Sequence, residues 1–122
     1  DKYRMPAFSP DNQLIACRYD EDSDVHDVAI FPAQGGPALK HFEVPKQEWQ
    51  SIRWIGDRQL SYVRNENGYS NIWSYDLNTD ERKQLTHFNS DQIYAYAWSL
   101  DYKHVACQRG TRISDVTIIS ER

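Results

Sequence analysis

Three observations in the sequence predict an all-β fold. An aromatic–turn–strand motif occurs three times at nearly constant spacing, a Val/Ile-rich segment follows each copy in phase, and turn residues punctuate the chain between them. No segment of eleven or more residues shows a 3.6-residue apolar period, so the pattern does not favour helices. The 8 Tyr, 4 Trp and 4 Phe are side chains that suit a pleated, half-buried surface.

The first motif copy is "FSPDNQLIA" from Phe8, the second "WIGDRQLSY" from Trp54 and the third "WSLDYKHVA" from Trp98. Aligned without gaps, they match Phe8 with Trp54 and Trp98, Asp11 with Asp57 and Asp101, and Leu14 with Leu60 and His104. The aromatic rings lie 46 and 44 residues apart. "DVAIF" from Asp27, "NIWSY" from Asn71 and "DVTII" from Asp115 form the in-phase segment. A further segment recurs twice, "LKHF" from Leu39 and "LTHF" from Leu85.

Each unit therefore reads as four strands. The first ends at the aromatic residue, the second follows the Asp turn, the third is the Val/Ile segment and the fourth is Leu-X-His-Phe. A repeated four-stranded unit of roughly 40–50 residues is the signature of a propeller blade. The expected architecture is a β-propeller fragment of about three four-stranded antiparallel blades in one segment, 1–122, with units near 3–47, 48–92 and 93–122. The last unit stops after its third strand, so its outer strand is missing.

Local chemistry explains the turns. In Ser-Pro-Asp-Asn, Pro10 presets φ for a turn position, and the Asp11 carboxylate can accept a backbone N–H. Asn12 tolerates a left-handed conformation. Phe8, Trp54 and Trp98 are expected to pack between neighbouring blades. With Asp11, Asp57 and Asp101 they are read as structural.

Charge and composition exclude several classes. The net charge is −4 with a pI near 5.5, and no basic stripe marks a nucleic-acid surface. No apolar run reaches the roughly 18 residues a membrane helix needs, so membrane insertion is not expected. No signal peptide is visible. The chain begins at Asp1 without a Met, as an excised or processed segment would.

"AFSPDN…LIA" and "AWSLDYKHVA" resemble the WD-like propeller repeat of TolB-type proteins, whose usual form is aromatic-Ser-Pro-Asp-Gly before an apolar strand. The resemblance runs from Tyr3 to Ser120, and the C-terminal stretch looks like the last blade of such propellers. Gly56 and Leu100 replace the Pro, and Asn12, Arg58 and Tyr102 stand where Gly is usual. The resemblance implies a bacterial, periplasmic or otherwise extracytoplasmic setting, in proteins where the propeller follows a kinase domain or a CadC-type regulator. It transfers no catalytic residue.

A closed propeller takes about four to eight blades, so three cannot close a ring. In the relatives implied by the resemblance, the N-terminal end supplies the missing outer strand of the last blade. Here nothing before Tyr3 is long enough to do so. Two solutions are expected: association with the remaining blades of a longer chain, or self-association into a dimer that completes a six-bladed ring.

Candidate chemistry is sparse. The acidic run Asp20–Asp24 lacks the Gly and Glu of an EF-hand loop and reads as a solvated hairpin tip, with calcium binding there left open. His26, His41, His87 and His104 lack paired ligand spacing, and His41 and His87 occupy matching positions in their units. No metal or cofactor is expected. Cys17 and Cys107 sit at equivalent places with a blade between them, too far apart for a disulfide, and are expected as buried free thiols. There is no G-x-S-x-G elbow. Ser99, Asp101 and His104 share one tight hairpin, unlike a triad assembled from separate segments.

What remains is binding. Loops between second and third strands, and between successive units, lie on one face of a propeller and are the usual seat of function on a rigid scaffold. Trp49, Tyr69, Arg109 and Arg112 on those loops combine aromatic and guanidinium groups, the types enriched at interface hot spots. The sequence thus predicts a non-catalytic interaction module for a protein or peptide partner. The alternative is an accessory propeller domain of a peptidase or kinase that gates access or positions a partner.

Overall fold

The computed structural model describes residues 3–19, 25–45, 51–110 and 115–119. The described residues form eleven strands in chain order: β1 Tyr3–Phe8, β2 Leu14–Tyr19, β3 Val25–Pro32, β4 Lys40–Pro45, β5 Arg53–Gly56, β6 Gln59–Glu66, β7 Tyr69–Asp76, β8 Arg82–Gln84, β9 Gln92–Trp98, β10 Val105–Gly110 and β11 Asp115–Ile119. They form three antiparallel meanders, β1-β2-β3-β4, β5-β6-β7-β8 and β9-β10-β11. The described residues contain no α-helix.

The sheets stack on two cores. Leu14, Ala16, Val28, Ile30, Phe42 and Val44 of the first sheet pack on Trp54, Leu60, Tyr62, Tyr75 and Leu77 of the second. Val63 and Ile72, on the opposite face of the second sheet, pack on Ile93, Val105 and Cys107 of the third. The middle sheet is covered on both sides, so residues 60–63 of β6 are all buried where a one-sided strand would alternate.

Polar bonds cross the first junction. The Trp54 indole donates to the Ala7 carbonyl at 2.9 Å. Lys40 Nζ donates to the Leu77 carbonyl at 2.7 Å and to the Asp80 carboxylate, which also accepts from the Tyr75 hydroxyl. Phe42 and Tyr75 stack with ring centroids 4.1 Å apart. At the second junction the Trp98 indole donates to Ser61 Oγ at 3.0 Å, and the Tyr96 hydroxyl donates to the Ser51 carbonyl.

The turns after Phe8 and Trp98 are two copies of one device. Ser9 Oγ donates to Asp11 at 2.7 Å and Ser99 Oγ to Asp101 at 2.7 Å. Each carboxylate also accepts the backbone N–H two residues on, from Gln13 and Lys103, at 3.1 Å. Asn12 and Tyr102 hold the left-handed conformation, with φ of 60° and 58°. These bonds, the Ser hydroxyl first, hold both carboxyls below the usual range.

The second unit departs from the gapless repeat. Trp54 pairs with Leu60, whereas Phe8 pairs with Ile15 and Trp98 with Val105. A bulge at Ile55 and a tighter turn leave five residues between the pair where the other units have six. Leu60 is therefore the counterpart of Ile15 and Val105, not of Leu14 and His104. Asp57 sits exposed at this shorter tip and does not reproduce the Asp11 and Asp101 bonds. Arg58 beside it reaches back to Asp11 at 3.1 Å.

The fourth strand of the second unit also lies elsewhere. Gln84 of β8 pairs with Trp73, and His41 of β4 pairs with Ala29. "LTHF" follows β8 outside the sheet, so His87 is not the counterpart of His41. Side-chain bonds from Thr86 and Asn71 hold it there. Trp54 is 9% exposed between the first two sheets, whereas Phe8 is 57% exposed on the outer flank of the first sheet, where none of the described sheets covers it.

Candidate functional site

The site is built around the β6–β7 hairpin. Asn67 and Gly68 both have positive φ, 52° and 85°, the geometry of a two-residue type I′ turn, with Glu66 paired to Tyr69 across it. This turn brings Tyr69 beside Trp73 on β7 and Arg64 on β6. The Arg64 guanidinium lies 4.8 Å from the Trp73 ring centroid, and its Nε is 2.7 Å from the Glu66 carboxylate.

Asn71 sets the other wall. It is nearly fully buried; its Oδ1 accepts the Phe88 N–H at 2.7 Å and the Thr86 hydroxyl at 2.8 Å, and its Nδ2 donates to the Phe88 carbonyl at 3.0 Å. Thr86 Oγ1 in turn accepts the Ile72 N–H at 2.9 Å. This places His87 and Phe88 opposite Tyr69 and Trp73, around a cavity of about 150 Å³. The Arg109 guanidinium lies 3.5 Å from the Phe88 ring centroid and donates to the Ser90 carbonyl at 2.9 Å.

The structure thus links two of the four predicted binding residues, Tyr69 and Arg109, through Phe88. Trp49, Arg112 and the acidic run Asp20–Asp24 lie outside the described residues. Sequence reading missed Arg64, Asn71, Trp73 and Phe88. All four fall inside segments that read as strand, and only the repeat of Asn71 at the place of Asp27 and Asp115 marked a polar residue entering a Val/Ile strand.

A second cavity of about 320 Å³ opens between β5 and β9, lined by Ser51, Arg53, Asn65, Tyr94 and the partly buried Tyr96. Burial raises the Tyr96 phenol above its ordinary range, so it stays protonated. Cys17 and Cys107 are unpaired; burial pushes the Cys107 thiol up to about 11 and raises Cys17 as well, which leaves neither as a thiolate near neutral pH.

No family model and no curated protein matches the chain. Solved structures do. A puromycin-hydrolyzing peptidase from Mycobacterium tuberculosis matches 97% of this chain at 18% identity with a TM-score of 0.67, over 20% of its own length. An acylaminoacyl peptidase from Pyrococcus horikoshii matches 98% at 13% identity and a TM-score of 0.68, over 24% of its length. This chain is a sector of a β-propeller. Among the described residues its sheets are successive blades, of four, four and three strands. A chain described as a conserved lipoprotein from Clostridium novyi matches 100% of it at 14% identity, with a TM-score of 0.66 over 89% of that chain. The sector thus spans about a fifth to a quarter of the two peptidases and most of the lipoprotein.

Proposed function

We propose that this sector is a non-catalytic interaction module that takes an extended protein or peptide segment along the Tyr69–Trp73–Phe88 groove. One observation carries the reading: three aromatic side chains flank a single cavity, and two guanidiniums, Arg64 and Arg109, lie against its rings. Aromatic faces supply contact area at small entropic cost, and the guanidiniums supply donors for backbone carbonyls or acidic side chains of the segment. The resemblance to TolB-type repeats accords with a binding role in an extracytoplasmic protein.

Selection of heptapeptides from a displayed random library on the purified chain tests this. Enriched peptides should lose at least tenfold in affinity on Trp73→Ala and on Arg109→Ala, and should be indifferent to Tyr94→Ala at the β5–β9 cavity. Enriched peptides that ignore both groove variants, or a library that yields none, would refute the reading.

A second reading has its own support. Two of the structurally similar chains are described as peptidases, so the sector also suits an accessory propeller domain that positions a substrate for an enzyme. The same groove would then hold the substrate chain, and fusion to the hydrolase should make cleavage of long peptides, but not of dipeptides, sensitive to Trp73→Ala.

A further inference from the structure

The three blades repeat one socket, and among the described residues one copy of it receives no aromatic side chain. Each aromatic residue that ends an inner strand enters the preceding blade beside the cross-strand pair that precedes that blade's own aromatic. Trp54 enters beside Ala7 and Ala16, which pair with each other; it bonds the Ala7 carbonyl and lines a cavity with both. Trp98 enters beside Arg53 and Ser61, again a pair, and bonds the Ser61 hydroxyl. The corresponding pair in the third blade is Ala97 and Ala106, and Ala97 is exposed.

An exposed aromatic residue lies at the opposite end of the sector. Phe8 is 57% exposed. Half-buried Ile15 and Phe31 share the Phe8 face of the first blade through the pairs Phe8–Ile15 and Ile15–Phe31. Phe8 also differs from the two Trp residues in having no N–H to satisfy. The Ala97–Ala106 socket offers two methyl groups and no side-chain hydroxyl, so ring and socket agree in polarity as well as in size.

We propose that a second copy of this chain covers both flanks, with Phe8 of each copy seated on Ala97 and Ala106 of the other. Two such junctions related by a two-fold axis give six blades, within the range of about four to eight in which propellers close. A blade face of three or four strands, about 4.8 Å apart and five to six residues long, covers roughly 300 Å². Two junctions of two faces each then cover about 1,200 Å², the lower bound for a stable assembly. The proposal does not depend on the peptide groove, which lies on the second blade and its link to the third.

Sedimentation of the purified chain tests it. The expected mass is twice the 14.4 kDa of one chain. Phe8→Asp should reduce it to one chain with the β-sheet circular dichroism unchanged. Ala97→Arg, on the opposite flank, should do the same, and it replaces a side chain that is already exposed, so it tests the socket even where the first variant fails to fold. Mixing F8D and A97R chains should restore the dimer, because one junction regains Phe8 on Ala97 and the other opposes a carboxylate to a guanidinium. Leu100→Asp, at a fully exposed turn, should change nothing. A folded wild-type chain that sediments as a monomer would assign the flank to a blade from elsewhere and overturn the proposal. Open-ended oligomers, dimeric single variants, or two folded variants that stay monomeric when mixed would overturn it as well.

Discussion

Replacing Asn71 by Ala should destabilise the chain more than any other single polar change at the groove. The side chain makes three hydrogen bonds from a buried position, two accepted and one donated, and all three anchor Thr86 and Phe88 outside the sheet. At about 1 kcal/mol each, and with some water reaching the vacated space, the loss should be about 2–3 kcal/mol. Urea unfolding should show this as a lower midpoint at unchanged slope. For a chain of this size the melting temperature should fall by roughly 8–12 °C. Asn71→Asp separates the bonds. It keeps an acceptor for the Phe88 N–H but sets a carboxylate against the Phe88 carbonyl, so its deficit relative to wild type should shrink as the acid is protonated at low pH. A loss below about 0.5 kcal/mol for Asn71→Ala, the scale of an ordinary surface change, would show that Asn71 does not anchor the groove wall.

Other outcomes follow from the same geometry. Tyr102→Gly removes a left-handed non-glycine residue and should raise stability by up to about 1 kcal/mol in thermal unfolding, less whatever the Tyr side chain contributes. Asp11, Asp80 and Asp101 all have lowered pKa values, so the stability they confer is complete above the unfolded carboxylate range and is lost as pH falls through their folded values. The pH dependence of the urea midpoint below about pH 4 should therefore be shallower in an Asp11→Asn, Asp101→Asn double variant. Native Cys107 should resist iodoacetamide at pH 8 and be labelled only on unfolding, as mass spectrometry of the peptide will show. Lys40→Met should weaken the first junction by removing the cation shared by the Leu77 carbonyl and Asp80; a double-mutant cycle with Asp80→Ala should give a coupling that falls on adding salt.

The parts of the fold that were legible in the sequence are those set by local chemistry. Ser9, Asp11 and Asn12 bond within six residues of one another, so their turn could be read directly, and the copy at Ser99, Asp101 and Tyr102 confirmed its period. The burial of Trp54 between blades followed from the same repeat. The register of β6 did not. A bulge at Ile55 and a hairpin one residue shorter slide every side chain of the strand by one place, and period-2 patterning cannot reveal this where both faces are buried. "LTHF" looked like a strand because its Leu and Phe match "LKHF". Its true position depends on an Asn more than a dozen residues earlier. For the same reason the groove was only half visible: Tyr69 and Arg109 lie on loops or strand ends, whereas Trp73 and Phe88 were indistinguishable from core residues.

The double-sided burial of the middle blade also governs how the molecule comes apart. Leu60 and Tyr62 belong to one core, Val63 and Ile72 to the other, and both cores share a single wall four strands wide. In an array held by nearest-neighbour contacts, either outer blade can detach while one core survives, but opening the centre abolishes both together. Amide protons of β6 and β7 should accordingly be the last in the chain to exchange with deuterium, and their exchange should report global unfolding, while those of β1 and β10 exchange through partial openings.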